Sequence, residues 1–320
     1  MPRCRNRLFS TCVEKKIVQY YNIIVLLQKN LTFNTPETVE PEQIGKKYID
    51  IEKILATKHV KLPKPIIHLL ERILHVPDLN KGIYLDREYF GLDFVHKFLE
   101  GSDPQDLNIK IQTRGEDNIP TDGYPMIVGN HPLGGPDGLA LMAAVGRVRK
   151  DIKFPVNDFL LYLPGLRELF YPIDKINKTR ALASLEQAFA DQTTLLYFPA
   201  GMCSRLQKGE IKDLEWKATF IKKAVKYPRD VVPVFTAARN RMSFYRIANL
   251  RKKLGIKFNF EMALLPAEMY AQRNKTFGIT IGKAIPWQTF DNRHTAAEWA
   301  SLVKEHVYKL KTNPDAQFNY

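Results

Sequence analysis

Cysteine is scarce in this chain. Only Cys4, Cys12 and Cys203 occur among 320 residues, at no CxxC or metal-ligand spacing, which excludes a zinc module or a disulfide-stapled scaffold. Their odd number and scatter predict reduced thiols in a cytoplasmic protein. Long apolar runs are lacking as well. Ile17–Leu27 is broken by Gln19 and Asn22 and is too short to cross a bilayer. The opening stretch MPRCRNRLFSTCVEKK has neither the apolar core nor the small-residue cleavage site of a signal peptide. Any membrane contact is therefore expected to be peripheral, on the inner face of the cell membrane. There is also no internal repeat, no low-complexity tract and no GxSxG elbow, so a covalent serine intermediate is not indicated.

Acidic residues are in deficit, 34 Asp and Glu against 48 Lys and Arg, for a formal net charge of +14 at pH 7. That excess implies an acidic partner: nucleic acid, anionic lipid or an acidic carrier protein. No zinc finger, helix-turn-helix or RNP-like motif accompanies it, and the aromatics mostly sit in apolar runs, which argues against nucleic acid. With 45% apolar and 26% charged residues, the composition is that of a globular protein.

Four regions are expected: an N-terminal extension over 1–44, a helical lead-in over 45–101, an α/β domain over 102–311 and a tail over 312–320. In the lead-in, apolar residues recur at three-and-four spacing, punctuated by Pro63, Pro65 and Pro77, and GLDFVHKFLEG (91–101) reads as a further amphipathic helix. Then strand-like runs at 107–115, 125–131, 152–157, 193–201, 231–239 and 279–287 alternate with helical ones at 139–149, 179–191, 216–227 and 295–311. That alternation predicts a mixed, largely parallel sheet flanked by helices.

Reactive groups in such folds sit on loops beyond the carboxyl ends of strands. Two segments have that placement. In VGNHPLGGPDG, His131 follows a buried strand, Gly134 and Gly135 permit close backbone approach, and Asp137 opens the next helix. A carboxylate on one ring nitrogen fixes the tautomer and supports the cation formed when the other nitrogen takes a proton. The pair has no Ser or Cys nucleophile in its loop, so it suits general-base activation of a substrate hydroxyl or amine. The plain structural alternative is a loop-closing His131 and an Asp137 that only caps its helix. The second segment, YFPAGMCSR (197–205), ends in Arg205, whose planar fork suits phosphate or carboxylate. The lysines that follow, including Lys222, Lys223 and Lys226, read as a solvated basic face.

Residues about 107–290 resemble the lysophospholipid/glycerolipid acyltransferase superfamily, whose bacterial archetype is 1-acylglycerol-3-phosphate acyltransferase. Four blocks match in order: NHPLGGPDG, GLRELFYPIDK (165–175), FPAGMCSR and VVPVF (231–235). The resemblance implies His131 as catalytic base with Asp137 as its partner. It further implies a substrate-binding set of Asn130, Gly134, Gly135, Arg167, Gly201, Ser204, Arg205 and Lys217. Two departures stand out. Five residues separate His131 from Asp137 where the family has four, so the loop must bulge; and Ala200 stands where the family motif FPEG carries Glu. NHPLGGPDG, FPAGMCSR and DLEWKATF together look more like a hemolysin-like branch, which implies O-acylation of a lyso-aminolipid, with lysophosphatidate as the other acceptor. The implied reaction is one direct transfer from acyl-ACP or acyl-CoA, without metal or bound cofactor. Backbone amides near Gly134, Gly135 or Gly201 are expected to hold the oxyanion. The rival readings are a lipid hydrolase and a non-catalytic protein that binds anionic lipid or nucleic acid.

Overall fold

The computed structural model describes residues 48–56, 61–157, 163–173, 178–256 and 259–320. The extension expected over 1–44, and the Asp174–Lys175 end of the second block, lie outside these residues. Four helices come first: α1 (Ile51–Ala56), α2 (Lys64–Ile73), α3 (Val76–Leu85) and α4 (Gly91–Glu100). The prolines act as the sequence indicates, with Pro65 and Pro77 in the first turns of α2 and α3, where a missing N–H costs nothing. Ile49, Ile51, Leu55, Ile67, Leu70, Val76 and Ile83 form their own apolar cluster, whereas Phe94, Phe98 and Leu99 of α4 enter the main core.

The α/β part contains β1 (Lys110–Arg114), β2 (Met126–Gly129), α5 (Pro136–Gly146), β3 (Ile152–Asn157), β4 (Phe170–Ile173), α6 (Lys178–Ala190) and β5 (Thr194–Tyr197). It continues through β6 (Arg205–Gln207), β7 (Glu210–Lys212), α7 (Thr219–Lys226), β8 (Val231–Ala237), α8 (Met242–Lys253), α9 (Leu265–Tyr270), β9 (Thr276–Ile281) and α10 (Ala296–Lys309). Seven strands make one sheet in the order β1-β9-β8-β2-β5-β3-β4. β8, β2, β5, β3 and β4 are mutually parallel, and β9 pairs antiparallel with β8 and parallel with β1. The architecture is thus the mixed, largely parallel sheet that the alternation predicts.

Alternation along the strands feeds two cores. Ile127, Leu196, Val232 and Val234 face α4 and α5; Met126, Val128, Leu195, Val231 and Phe235 face α6, α7 and α10. α5 is buried along nearly its whole length, as an apolar-all-round helix must be. Trp299 of α10 is fully buried in the second core, where a side chain of that size contributes roughly 3 kcal/mol. α10 begins in a capping box between Thr295 and Glu298.

The structure corrects the last strand. β9 runs over Thr276–Ile281, not 279–287; the chain leaves the sheet at Gly282, where a β-carbon would press on Leu310 and Pro233 at 3.0 Å, and Ile285 keeps only a single bridge to Val231. β4, the β6–β7 hairpin, α8 and α9 have no counterpart among the elements expected from the sequence. The hairpin turns on Lys208 and Gly209, both at positive φ, as a tight two-residue turn requires.

Candidate active site

Three adjacent strands, β5, β2 and β8, end side by side at one edge of the sheet, and the loops that leave them meet there. Val128 is in register with Tyr197 on one side and Pro233 on the other, so the segments after Gly129 and Tyr197 start level. Asn130 extends β2 by one step: its side-chain amide donates to the Thr236 carbonyl at 3.0 Å and accepts from Thr236 N–H at 2.7 Å. This fastens the residue before His131 to β8.

His131 Nδ1 and Asp137 Oδ2 lie 2.8 Å apart. Between them the loop turns at Gly134, whose φ of +91 favours glycine and whose absent side chain leaves room for Leu265, 2.9 Å from where a β-carbon would sit. Asp137 also accepts backbone N–H bonds from Leu133, Gly134, Gly135 and Gly138, at 2.8 to 3.4 Å. Burial works against the Asp137 carboxylate, but the facing imidazole and these amides outweigh it and hold its pKa below the usual range. For His131, burial disfavours the cation; the Asp137 charge and hydrogen bond, with Asp213 behind them, overcome it and raise the pKa above the ordinary value. The ring stacks on Phe198 at 4.2 Å between centroids and keeps 17% of its side chain exposed. No hydrogen bond joins Nε2 to a described residue. The ring thus has one nitrogen anchored on Asp137, the other without a hydrogen bond among the described residues, and one face against Phe198.

The other expected residues are distributed as follows. The Ser204 N–H donates to the His131 carbonyl at 2.7 Å, tying the two loops together. Gly201 has φ +65, and Lys217 Nζ lies 3.4 Å from where its β-carbon would be, so an exposed ammonium sits over the turn. Arg205 is only 2% exposed, pairs with Glu261 at 3.3 Å and donates to the Cys203 carbonyl at 2.7 Å. Its guanidinium braces α8 and the 260–264 turn. Arg167 is exposed on the turn Pro164–Leu169 and is not among His131's partners. The glycine amides expected to hold an oxyanion are engaged inside the loops: Gly134 and Gly135 donate to Asp137, and Gly201 to the Phe198 carbonyl. Ala200 is buried in the second core with Trp216 and Phe220. Among the described residues no cluster of His, Cys, Asp or Glu is placed to hold a metal ion.

One buried carboxylate beside His131 is not indicated by any motif of the sequence. Asp213 is buried behind His131, and its carboxylate receives the His131 N–H, the Ser204 hydroxyl and the Trp216 indole N–H. The only sequence signal was its place at the head of DLEWKATF.

Comparison with known proteins decides the family. The family model described as Acyltransferase matches residues 51–317. The chain belongs to this acyltransferase family. It is 44% identical over 269 residues to the lyso-glycine lipid O-acyltransferase of Bacteroides thetaiotaomicron, covering 82% of this chain and 97% of the relative. It is 45% identical over 269 residues to the protein of that name from Phocaeicola vulgatus, covering 82% and 95%. Among solved structures, the 1-acyl-sn-glycerophosphate acyltransferase PlsC from Thermotoga maritima is similar, at 19% identity and a TM-score of 0.45, over 72% of this chain and 81% of that one. This acyltransferase thus carries its His131–Asp137 pair at the carboxyl edge of the sheet, between β5 and β8.

Proposed function

We propose that this acyltransferase moves a fatty acyl group from an acyl thioester, acyl-ACP or acyl-CoA, to the hydroxyl of a lyso-aminolipid, a lyso-glycine lipid first of all. The observation that carries the reading is the anchored imidazole: His131 Nδ1 on Asp137, with Nε2 unpartnered at the sheet edge. His131 Nε2 takes the acceptor's hydroxyl proton, the oxygen attacks the thioester carbonyl, the C–S bond breaks, and the imidazolium returns its proton to the departing thiolate. Atoms balance without an acyl-enzyme. Lys217, over the Gly201 turn, supplies positive charge for the lipid's acidic end or the developing oxyanion. The glycine-lipid acceptor is supported by relatives at 44% and 45% identity, and by Ala200 in place of the Glu of FPEG. Offering purified protein both acceptors with one thioester tests this. The ester of the lyso-glycine lipid is expected, and preferential acylation of lysophosphatidate refutes the reading.

No helix among the described residues is long and apolar enough to cross a membrane. The proposal extends to peripheral contact with an anionic membrane surface, taken as the inner face of the cell membrane; the contact itself is supported by α8, which follows β8. Residues 239–257 contain seven Arg or Lys and no Asp or Glu. On the outer side of α8 and at its cap, Leu250 (56% exposed) and the cap Leu254 (60%) alternate with the exposed Arg246 and Lys253. Apolar side chains ringed by cations fit an anionic bilayer, each cation adding about 1 kcal/mol. The double variant Arg246→Glu/Lys253→Glu is expected to weaken sedimentation with phosphatidylglycerol vesicles by about 10- to 100-fold, while turnover of detergent-dispersed lysolipid persists. Unchanged sedimentation contradicts this. Loss of acyl-ACP use with vesicle binding intact assigns the face to the donor instead.

A further inference from the structure

Resting on His131 as the base, we infer that Asp213 is a positioning residue of the reaction: its buried carboxylate locks the His131 peptide and the Ser204 turn into one piece. The His131 N–H is shared between both carboxylate oxygens at 3.2 Å each. The Ser204 hydroxyl donates to Oδ1 at 2.6 Å and the Trp216 indole N–H to Oδ2 at 2.9 Å. Beyond Gly129 the β-ladder ends, so the peptide groups of His131 need other partners. They find them on one side only: the N–H goes to Asp213, and the carbonyl accepts from Ser204 N–H at 2.7 Å. The main chain of the base is thus held by the segment after β5, and its ring by Asp137 and Phe198.

Asp213 is itself held from behind. Its N–H donates to the Tyr308 hydroxyl at 2.8 Å, and its carbonyl accepts from Lys304 Nζ at 3.0 Å, both on α10. Burial pushes the Asp213 carboxyl above the usual range; it has no ion pair among the described residues, and the three neutral donors Ser204, Trp216 and His131 N–H are what favour its charged form. A buried charge is costly, and an apolar side chain would serve if packing alone were needed. Convergence of three donors on one point gives the carboxylate its purpose. The charged groups that act on His131 are Asp137, Asp213 and, with opposite sign, Arg205.

The test is Asp213→Asn, nearly isosteric, which places an N–H among three donors. Displacing the base should lower kcat about 10- to 100-fold, with KM for lysolipid within about twofold of wild type. The His131 ring should titrate at lower pH by NMR, its resonance identified by its loss in His131→Ala. Folded Asp213→Asn with unchanged kcat or an unmoved His131 titration overturns the inference, since a merely structural Asp213 would change only the melting temperature. Should that variant not fold, Ser204→Ala keeps the carboxylate and removes one tie. It should lower kcat about three- to tenfold at constant KM, and an unchanged kcat again overturns the inference. The titration needs no substrate. An unmoved pKa therefore counts against Asp213 alone, whereas a wild-type protein without transfer counts against the assignment of the base.

Discussion

Replacing His131 by Ala is expected to lower kcat for acyl transfer by about 10²- to 10⁴-fold, the range a positioned general base contributes. The fold should survive. The His131 ring makes one hydrogen bond, to Asp137, and one stacking contact, to Phe198, while its peptide groups remain tied to Asp213 and Ser204. Circular dichroism and a melting curve close to wild type, together with the kinetic loss, separate catalysis from structure. Residual activity above about a tenth of wild type would mean that the proton leaves by another route.

Asp137→Asn is expected to cost nearly as much, about 10²- to 10⁴-fold in kcat, by a different path. It also has a structural price. Asp137 accepts four backbone N–H bonds as well as the ring nitrogen, and an amide turns one acceptor into a donor facing donors, at about 1–3 kcal/mol of stability. The pH dependence gives the sign. The base works as neutral imidazole, and Asp137 raises its pKa against burial, so wild-type kcat/KM should rise with pH through a limb above the ordinary histidine value of about 6.5. Without the carboxylate, burial prevails and the limb moves to lower pH. Activity thus falls although more imidazole is neutral. A limb that stays in place in a folded Asp137→Asn protein would show that another group is being titrated.

Much of this was legible in the sequence because short-range chemistry fixes it. Strand-then-glycine runs ending at Gly129 and Tyr197 are tertiary signals written locally, so the sheet and its reactive edge could be read from them. The reach of Asp137 across five residues was a geometric demand, and the loop before it turns at Gly134, at positive φ. What could not be read depends on long-range partners. Arg205 looks free in FPAGMCSR, but Glu261, 56 residues on, draws it inside beside Phe244. Asp213 lies 82 residues from His131, and no periodicity announces that its carboxylate meets a backbone N–H. α8 and the residue that caps it carry apolar side chains on both buried and exposed sides, Phe244, Tyr245 and Ala248 within and Leu250 and the cap Leu254 without, which blurs the helical period. The apolar pattern at Ile279 and Ile281 continues in sequence to Ile285 and so suggests a later strand, while the chain turns away at Gly282.

The central claim is direct, base-catalysed transfer to a lysolipid hydroxyl at His131. Thioester consumption by wild type and His131→Ala, with and without lyso-glycine lipid, measures it most directly, with mass spectrometry of product and protein. Wild type should consume thioester only when the lysolipid is present and yield the O-acylated lipid, with no acylated protein, while His131→Ala should stay near background. Free fatty acid released at an equal rate without acceptor, or acyl transfer undiminished in His131→Ala, would contradict it.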